Sequence, residues 1–376
     1  MDGGDPDATD VHDTSEAGPN SVLSGTWRFP RPDFDLSALP RYECGAGLRA
    51  TLPAPHSPTG HHLCEMGGWI YATVNGSVGR YRGTDGRREL LTEVDRADGY
   101  VDHGASVVCR RSDLVVAVSQ RTPKSSAIVE FTDPTGPGVV RWVRVTEPRP
   151  EWATGIYEHV ATESLMAWTY QYNGGPLQLW VAGPHGEAPR VLVTSPSQFY
   201  PTASGSTLVF EYRDVLHRWS PGMAAPERVT PEINTWQWSP WLDGDRLVWL
   251  DGRHGRGSRD RRDNPEVYFK DLRTGETRRL THDPPERPVG QVDPTISGDW
   301  VAWSDFRDAA TPNPSTSFSD RMDLYAFNLR TGREHRLVSE QQTSLPRILG
   351  GRVAFACTIP RPVGYGQLFL VPLPRE

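Results

Sequence analysis

The sequence lacks what marks a membrane span, a nucleotide site or a common hydrolase. No apolar run approaches the roughly 18 residues that a transmembrane helix needs, and mean hydropathy is −0.54. There is no GxxxxGK[ST] phosphate loop, no HExxH, no GxSxG elbow and no dinucleotide fingerprint. Cysteines number four in 376 residues, none in a CxxC pair, which removes zinc-ribbon and thioredoxin-like readings. Capped helical periodicity is missing throughout, and the 36 Gly and 34 Pro would break helix interiors. These absences leave turn-rich β structure.

Basic charge is missing where acidic charge is densest. Residues 1–20 hold Asp2, Asp5, Asp7, Asp10, Asp13 and Glu16 with no Lys or Arg, all but one unit of the formal charge of −7. The remaining chain, 21–376, is near neutral, which argues against nucleic-acid binding because that needs a basic face to release phosphate counterions. Residues 1–20 carry only Val11 as a strong apolar side chain and are expected to be a disordered acidic tail. No signal peptide opens the given chain. An acidic Gly, Asp and Ser leader suits the tether of a processed surface lipoprotein, so a periplasmic or extracellular, lipid-anchored protein is expected.

An internal repeat organises the rest. Gly244–Arg253 reads GDRLVWLDGR and Gly298–Arg307 reads GDWVAWSDFR, which aligns Trp249 with Trp303, Asp251 with Asp305 and Arg253 with Arg307. Each copy continues through a variable polar insert. EVYFKDLRTGETRRLT (Glu266–Thr281) then aligns with DLYAFNLRTGREHRLV (Asp323–Val338), matching Tyr268 to Tyr325. Weaker copies are marked by closing strands that end at Thr92, Thr146, Thr194, Thr230, Thr281 and Val338, a spacing of 36 to 57 residues. Several short alternating strands per such period predict an all-β fold, a single closed β-propeller of four-stranded blades over 21–376. Val22–Phe29 is expected to complete the last blade and so remove an exposed sheet edge. That count gives seven blades; six follows if Cys44–Thr92 is a cap.

These motifs resemble the TolB-like (PD40-type) propeller repeat, in which Trp-x-Asp-x-Arg is followed by Asp-Leu-Tyr, Leu-x-Thr-Gly and a final Leu-Thr. Trp303, Asp305, Arg307, Asp323, Tyr325, Leu329, Thr331 and Gly332 carry the likeness. The amino-terminal α/β domain of TolB itself has no counterpart in residues 1–60, so the resemblance implies the propeller alone. Propellers of this kind often sit ahead of a prolyl-peptidase domain; no such domain follows the repeats in the given chain, so that activity is not expected.

Several residues are candidates for a site. Asp251 with Arg253 and Asp305 with Arg307 lie two apart on a strand and share a face; recurrence across blades suits a framework pair, with Trp249, Tyr268, Trp303 and Tyr325 as the matching aromatic frame. The insert after Asp251 concentrates Arg253, His254, Arg256, Arg259, Arg261 and Arg262. Loops joining second and third strands emerge on one face, and forked guanidinium donors there suit carboxylate or phosphate. His56, His61 and His62 stand near Cys64 but lack a matching second pair, so no metal or other cofactor is expected. His103, His159, His217 and His282 fall on different blades and would have to meet at a channel mouth, as the metal ligands do in oligogalacturonate lyases, whose repeats are of this type. Trp236 and Trp238 share a strand face, with Trp241 nearby, and are read as blade core. Cys44 and Cys64 are expected to form a disulfide, with Cys109 and Cys357 as buried free thiols.

The functional expectation is a monomeric, non-enzymatic scaffold at a bacterial cell envelope that binds a protein partner, with no catalytic residue assigned. The alternative is an enzyme acting on acidic polysaccharide, a lyase or hydrolase with its site in the central channel.

Overall fold

The computed structural model describes residues 43–44, 48–49 and 63–376, apart from 75–76, 83–87, 93–105, 111–112, 122–123, 133–138, 146–154, 172–174, 198, 232–235, 255–264, 284–289, 309–321, 340–342 and 358–366. The expected acidic tail and the strand Val22–Phe29 lie outside these residues. No helix occurs among the described residues, and none of them supplies a segment long and apolar enough to cross a membrane as a helix.

Strands form where the alternation predicted them. In the fifth sheet Arg246–Asp251 pairs with Glu266–Asp271, so that Trp249 faces Tyr268, and in the sixth Trp300–Asp305 pairs with Asp323–Asn328, so that Trp303 faces Tyr325. The ring pairs stand 5.5 and 6.2 Å apart, in the range where cross-strand aromatics attract. The Leu-Arg-Thr-Gly turn has a local cause in both copies. Asp271 Oδ1 accepts from the backbone N–H of Arg273 and Thr274, and Asn328 Oδ1 does the same for Arg330 and Thr331. Gly275 and Gly332 then take φ of +80° and +71°, which a side chain would disfavour.

The strands make sequential antiparallel meanders. The first sheet runs from Leu63 to Thr92, the second from Ser106 to Val145, the third from Gly155 to Ser195, the fourth from Thr202 to Arg228, the fifth from Gln237 to Arg279 and the sixth from Gln291 to Val338; each has four strands. The seventh has three, Thr343–Leu349, Arg352–Cys357 and Gln367–Pro372, and a two-stranded ladder pairs Glu43–Cys44 with Leu48–Arg49. The region that a six-blade count treats as a cap therefore holds a meander like the others.

Buried clusters join successive sheets from the second to the seventh and the seventh to the first, and these interfaces form the core. Val115 and Ile128 of the second sheet pack with Trp168 and Trp180 of the third. Leu179 of the third packs with Phe210 of the fourth, Val209 of the fourth with Trp249 of the fifth, Phe269 of the fifth with Trp303 of the sixth, and Leu324 of the sixth with Phe355 of the seventh. Ala354 and Leu368 of the seventh then pack with Leu63, Ile70 and Ala72 of the first.

The link between first and second sheets corrects the expected disulfide. Cys64 is bonded to Cys109, with Cα atoms 5.5 Å apart, and not to Cys44. Both residues sit on the leading strand of their sheet, Leu63–Met66 and Ser106–Arg110. Packing of successive sheets makes those strands neighbours, whatever their distance in sequence. Cys357 is also disulfide-bonded, so neither it nor Cys109 is the free thiol expected.

Candidate functional site

The repeated Asp/Arg pairs lie where the second strands of the fifth and sixth sheets end. Asp251 is fully buried, and Oδ2 accepts from Trp249 Nε1 (3.1 Å), Gln237 Nε2 (3.2 Å) and Arg253 Nη2 (2.6 Å), while Oδ1 accepts from Arg253 N and Nε. Asp305, equally buried, accepts from Trp303 Nε1 (2.8 Å), Arg307 Nη2 (2.7 Å) and Arg307 N (2.8 Å). Arg253 lies over the Tyr268 ring and Arg307 over the Tyr325 ring, 4.5 and 4.2 Å from their centres. A carboxylate held by so many donors meets the cost of burying its charge. Arg307 also pairs with Glu334 at 2.7 Å, and hydrogen bonds to Asp305 and Glu334 hold its pKa above the ordinary range against desolvation.

The polar insert leaves from this frame, between the second and third strands of the fifth sheet. Arg253 and His254 are described, and Arg256, Arg259, Arg261 and Arg262 lie outside the described residues. His254 is exposed and stacks on Tyr268, with Nε2 2.7 Å from the phenolic oxygen. Burial and the nearby Arg279 lower its pKa. Beside the frame stands Asp283, a carboxyl group that the sequence did not single out. Burial pushes it up to about 7, Glu266 and Asp305 add to the rise, and a 2.8 Å hydrogen bond from Gln291 Nε2 opposes it.

A second site lies in the centre. A cavity of about 190 Å³ is lined by residues on or beside the leading strand of all seven sheets, among them Cys64, Cys109, Glu158, Thr202, Trp241, Asp293 and Arg347. The leading strands bulge between Ile156 and His159, Trp238 and Trp241, Val292 and Thr295, and Ser344 and Arg347. Ser239, Asp293 and Leu345 take positive φ inside three of these bulges and Tyr200 does so ahead of the fourth sheet; each is followed by Pro. A β-bulge re-aims its side chains, and here the bulges bring Glu158, Ser239, Asp293 and Arg347 to the cavity wall.

The charged groups of that wall are poorly hydrated. Burial pushes Glu158 up to about 7, against a hydrogen bond from the Tyr200 backbone N–H. Asp293 is raised by burial, although Arg347 and the N–H of Leu345 oppose the shift. Arg347 falls to about 10 because desolvation outweighs the attraction of Asp293. Its guanidinium carbon lies 3.9 Å from the centre of the Trp241 ring.

The sequence-predicted residues are only partly brought together. Of the histidines read for a channel mouth, His159 borders the cavity, is 4% exposed, and points Nε2 at the carbonyl of Val115 (3.2 Å). Burial drops its pKa to about 4. His217 stacks with Phe210 and His282 is exposed, while His56, His61, His62 and His103 lie outside the described residues. Among the described residues no three His, Cys, Asp or Glu side chains are placed to hold a metal. Trp238 and Trp241 pack against the core between the fifth and sixth sheets, and Trp241 in addition faces the cavity.

No protein-family model matches the sequence, and no curated protein sequence does. Solved structures do match in fold. An oligogalacturonate lyase in complex with manganese superposes at a TM-score of 0.59 with 16% identity, over 90% of this chain and 96% of the lyase. The β-propeller domain of the trilobed protease from Pyrococcus furiosus gives 0.56 with 10% identity, over 82% and 94%. YCF48 bound to a D1 peptide gives 0.51 with 13% identity, over 85% and 96%. This chain has the fold of a β-propeller, and its structural neighbours include both an enzyme and a peptide-bound protein.

Proposed function

We propose that the chain is a ring of seven blades that works as a non-enzymatic binding scaffold, with a protein partner engaged by the face that carries the second-to-third-strand loops. The observation that carries this reading is the treatment of the recurring carboxylates on that face. Asp251 and Asp305 have their oxygens committed to Trp, Gln and Arg donors, Arg253 and Arg307 among them, which makes these pairs anchors for the strand ends and leaves Arg256, Arg259, Arg261 and Arg262 as the recognition element. The contacts of the seventh sheet with the first support the ring. The cross-sheet Cys64–Cys109 disulfide and the disulfide-bonded state of Cys357 support an oxidising compartment, periplasmic or extracellular, with residues 1–20 as a tether to the bacterial envelope. Structural likeness to YCF48 with its bound peptide is in keeping with the reading.

The likeness to the lyase favours a second reading, an enzyme acting on acidic polysaccharide in the channel. The described residues do not fit a manganese site, because His159 is turned to Val115 and Cys64 is in a disulfide. No catalytic step through a metal is derived.

The test is to identify an envelope protein that co-purifies with the full chain, reconstitute the pair from purified components, and repeat the titration with Arg256, Arg259 and Arg262 all changed to Ala. The scaffold reading expects binding that weakens with salt and falls at least about tenfold in the variant. An unchanged affinity removes the loop face from the account.

A further inference from the structure

The charges around the central cavity are not evenly spread. Arg347 enters from the seventh sheet, 3% exposed and stacked on Trp241, and its Nη1 donates to the Pro346 carbonyl at 2.7 Å. Asp293, from the neighbouring sixth sheet, stands on the same side. Glu158 enters from the third sheet, with three sheets between it and the seventh in one direction and two in the other. Glu158 and Asp293 are each partly exposed and line the cavity, which is itself partly open. The wall between them is apolar, with Val108, Val160, Ala203 and Leu242, and Thr202 adds a hydroxyl group.

Size limits the occupant. A cavity of about 190 Å³ exceeds the roughly 150 Å³ that admits benzene and falls short of the roughly 300–1,000 Å³ of pockets for larger ligands. Chemistry limits it further. A desolvated guanidinium is matched by a carboxylate, which accepts its forked donors, and a desolvated carboxyl group on the far wall is matched by a cation. A ligand with one charge of each sign meets both groups and adds no net charge to a wall whose carboxyl and guanidinium groups are already desolvated.

We propose that the central cavity binds a small zwitterion of amino-acid size, with its carboxylate on Arg347, its ammonium on Glu158 and its side chain against the apolar wall. The raised pKa of Glu158 and the lowered pKa of Arg347 agree with this, since burial outweighs the favourable contacts each group already has, Tyr200 N–H for Glu158 and Asp293 for Arg347. The inference does not rest on the loop-face partner and stands or falls separately.

The test uses the purified full chain and the twenty free amino acids at about 10 mM, followed by thermal shift and equilibrium dialysis. The best binder is then compared with its N-acetyl and its carboxamide forms, each lacking one charge. At least one amino acid is expected to raise Tm by a few degrees, and capping either end is expected to weaken binding at least about tenfold. Arg347→Gln and Glu158→Gln should each lose as much. If none of the twenty binds, or if the capped forms bind as well as the free one, the proposal is overturned. The capped ligands act on the unaltered protein, so a variant that fails to fold does not decide the matter.

Discussion

Arg352 Nη2 donates to Glu65 Oε1 at 3.0 Å across 287 residues of sequence, tying the second strand of the seventh sheet to the leading strand of the first. Both side chains are partly exposed, so the pair itself is worth only about 0–1 kcal/mol. The energy of this contact lies in the cluster around it. Leu368→Ala should cost about 2–5 kcal/mol, against less than about 1 kcal/mol for Arg352→Ala, in urea unfolding. If Leu368→Ala is as mild as Arg352→Ala, the seventh sheet is not packed on the first as described.

The Cys64–Cys109 bond closes 45 residues of chain. The chain-entropy relation assigns such a loop about 4 kcal/mol, so reduction should lower Tm and shift the urea midpoint downward. Mass spectrometry of a non-reduced digest should find the peptides of Cys64 and Cys109 joined. A Cys44–Cys64 peptide in their place would refute the pairing.

Removing a buried carboxylate from its donors is costly, and Asp305 is such a carboxylate. Asp305→Ala should destabilise the protein by about 3–5 kcal/mol, because Arg307 loses the buried one of its two carboxylate partners and Trp303 Nε1 its acceptor. Calorimetry would measure it, and a loss below about 1 kcal/mol would mean that the pair is ornamental.

Glu158 sets a pH dependence with a definite sign. Its folded pKa is about 7 against an ordinary 4.5, so the folded state binds more protons between those values and this group makes stability fall as pH rises through the window. His159, lowered from 6.5 to about 4, acts in the opposite direction over that lower range. Glu158→Gln isolates the first effect. Relative to the unaltered protein, the variant should gain stability between pH 4.5 and pH 7, by about 1–3 kcal/mol. A difference that does not change with pH would show that the carboxyl group is not desolvated.

The fold was largely legible because its signals are local. The Leu-Arg-Thr-Gly turns, the alternation around Trp249 and Trp303 and the closing strand at Val338 depend on neighbours within one meander. The cavity was not legible, since Glu158, Trp241, Asp293 and Arg347 share no motif and meet only through the packing of separate sheets. One trace was present: Pro240, Pro294 and Pro346 stand eleven residues before Asp251, Asp305 and Cys357, which marks the bulge in each leading strand. The disulfide was misread for a related reason. Proximity in sequence suggested Cys44 with Cys64, whereas sheet-to-sheet packing makes Cys109 the neighbour.

The scaffold account is tested most directly by offering oligogalacturonate to the purified full chain, with manganese supplied, and following unsaturated products by absorbance and mass spectrometry. The account predicts no product above the protein-free control. Product formation that saturates with substrate and stops on chelation would contradict it and establish a channel enzyme.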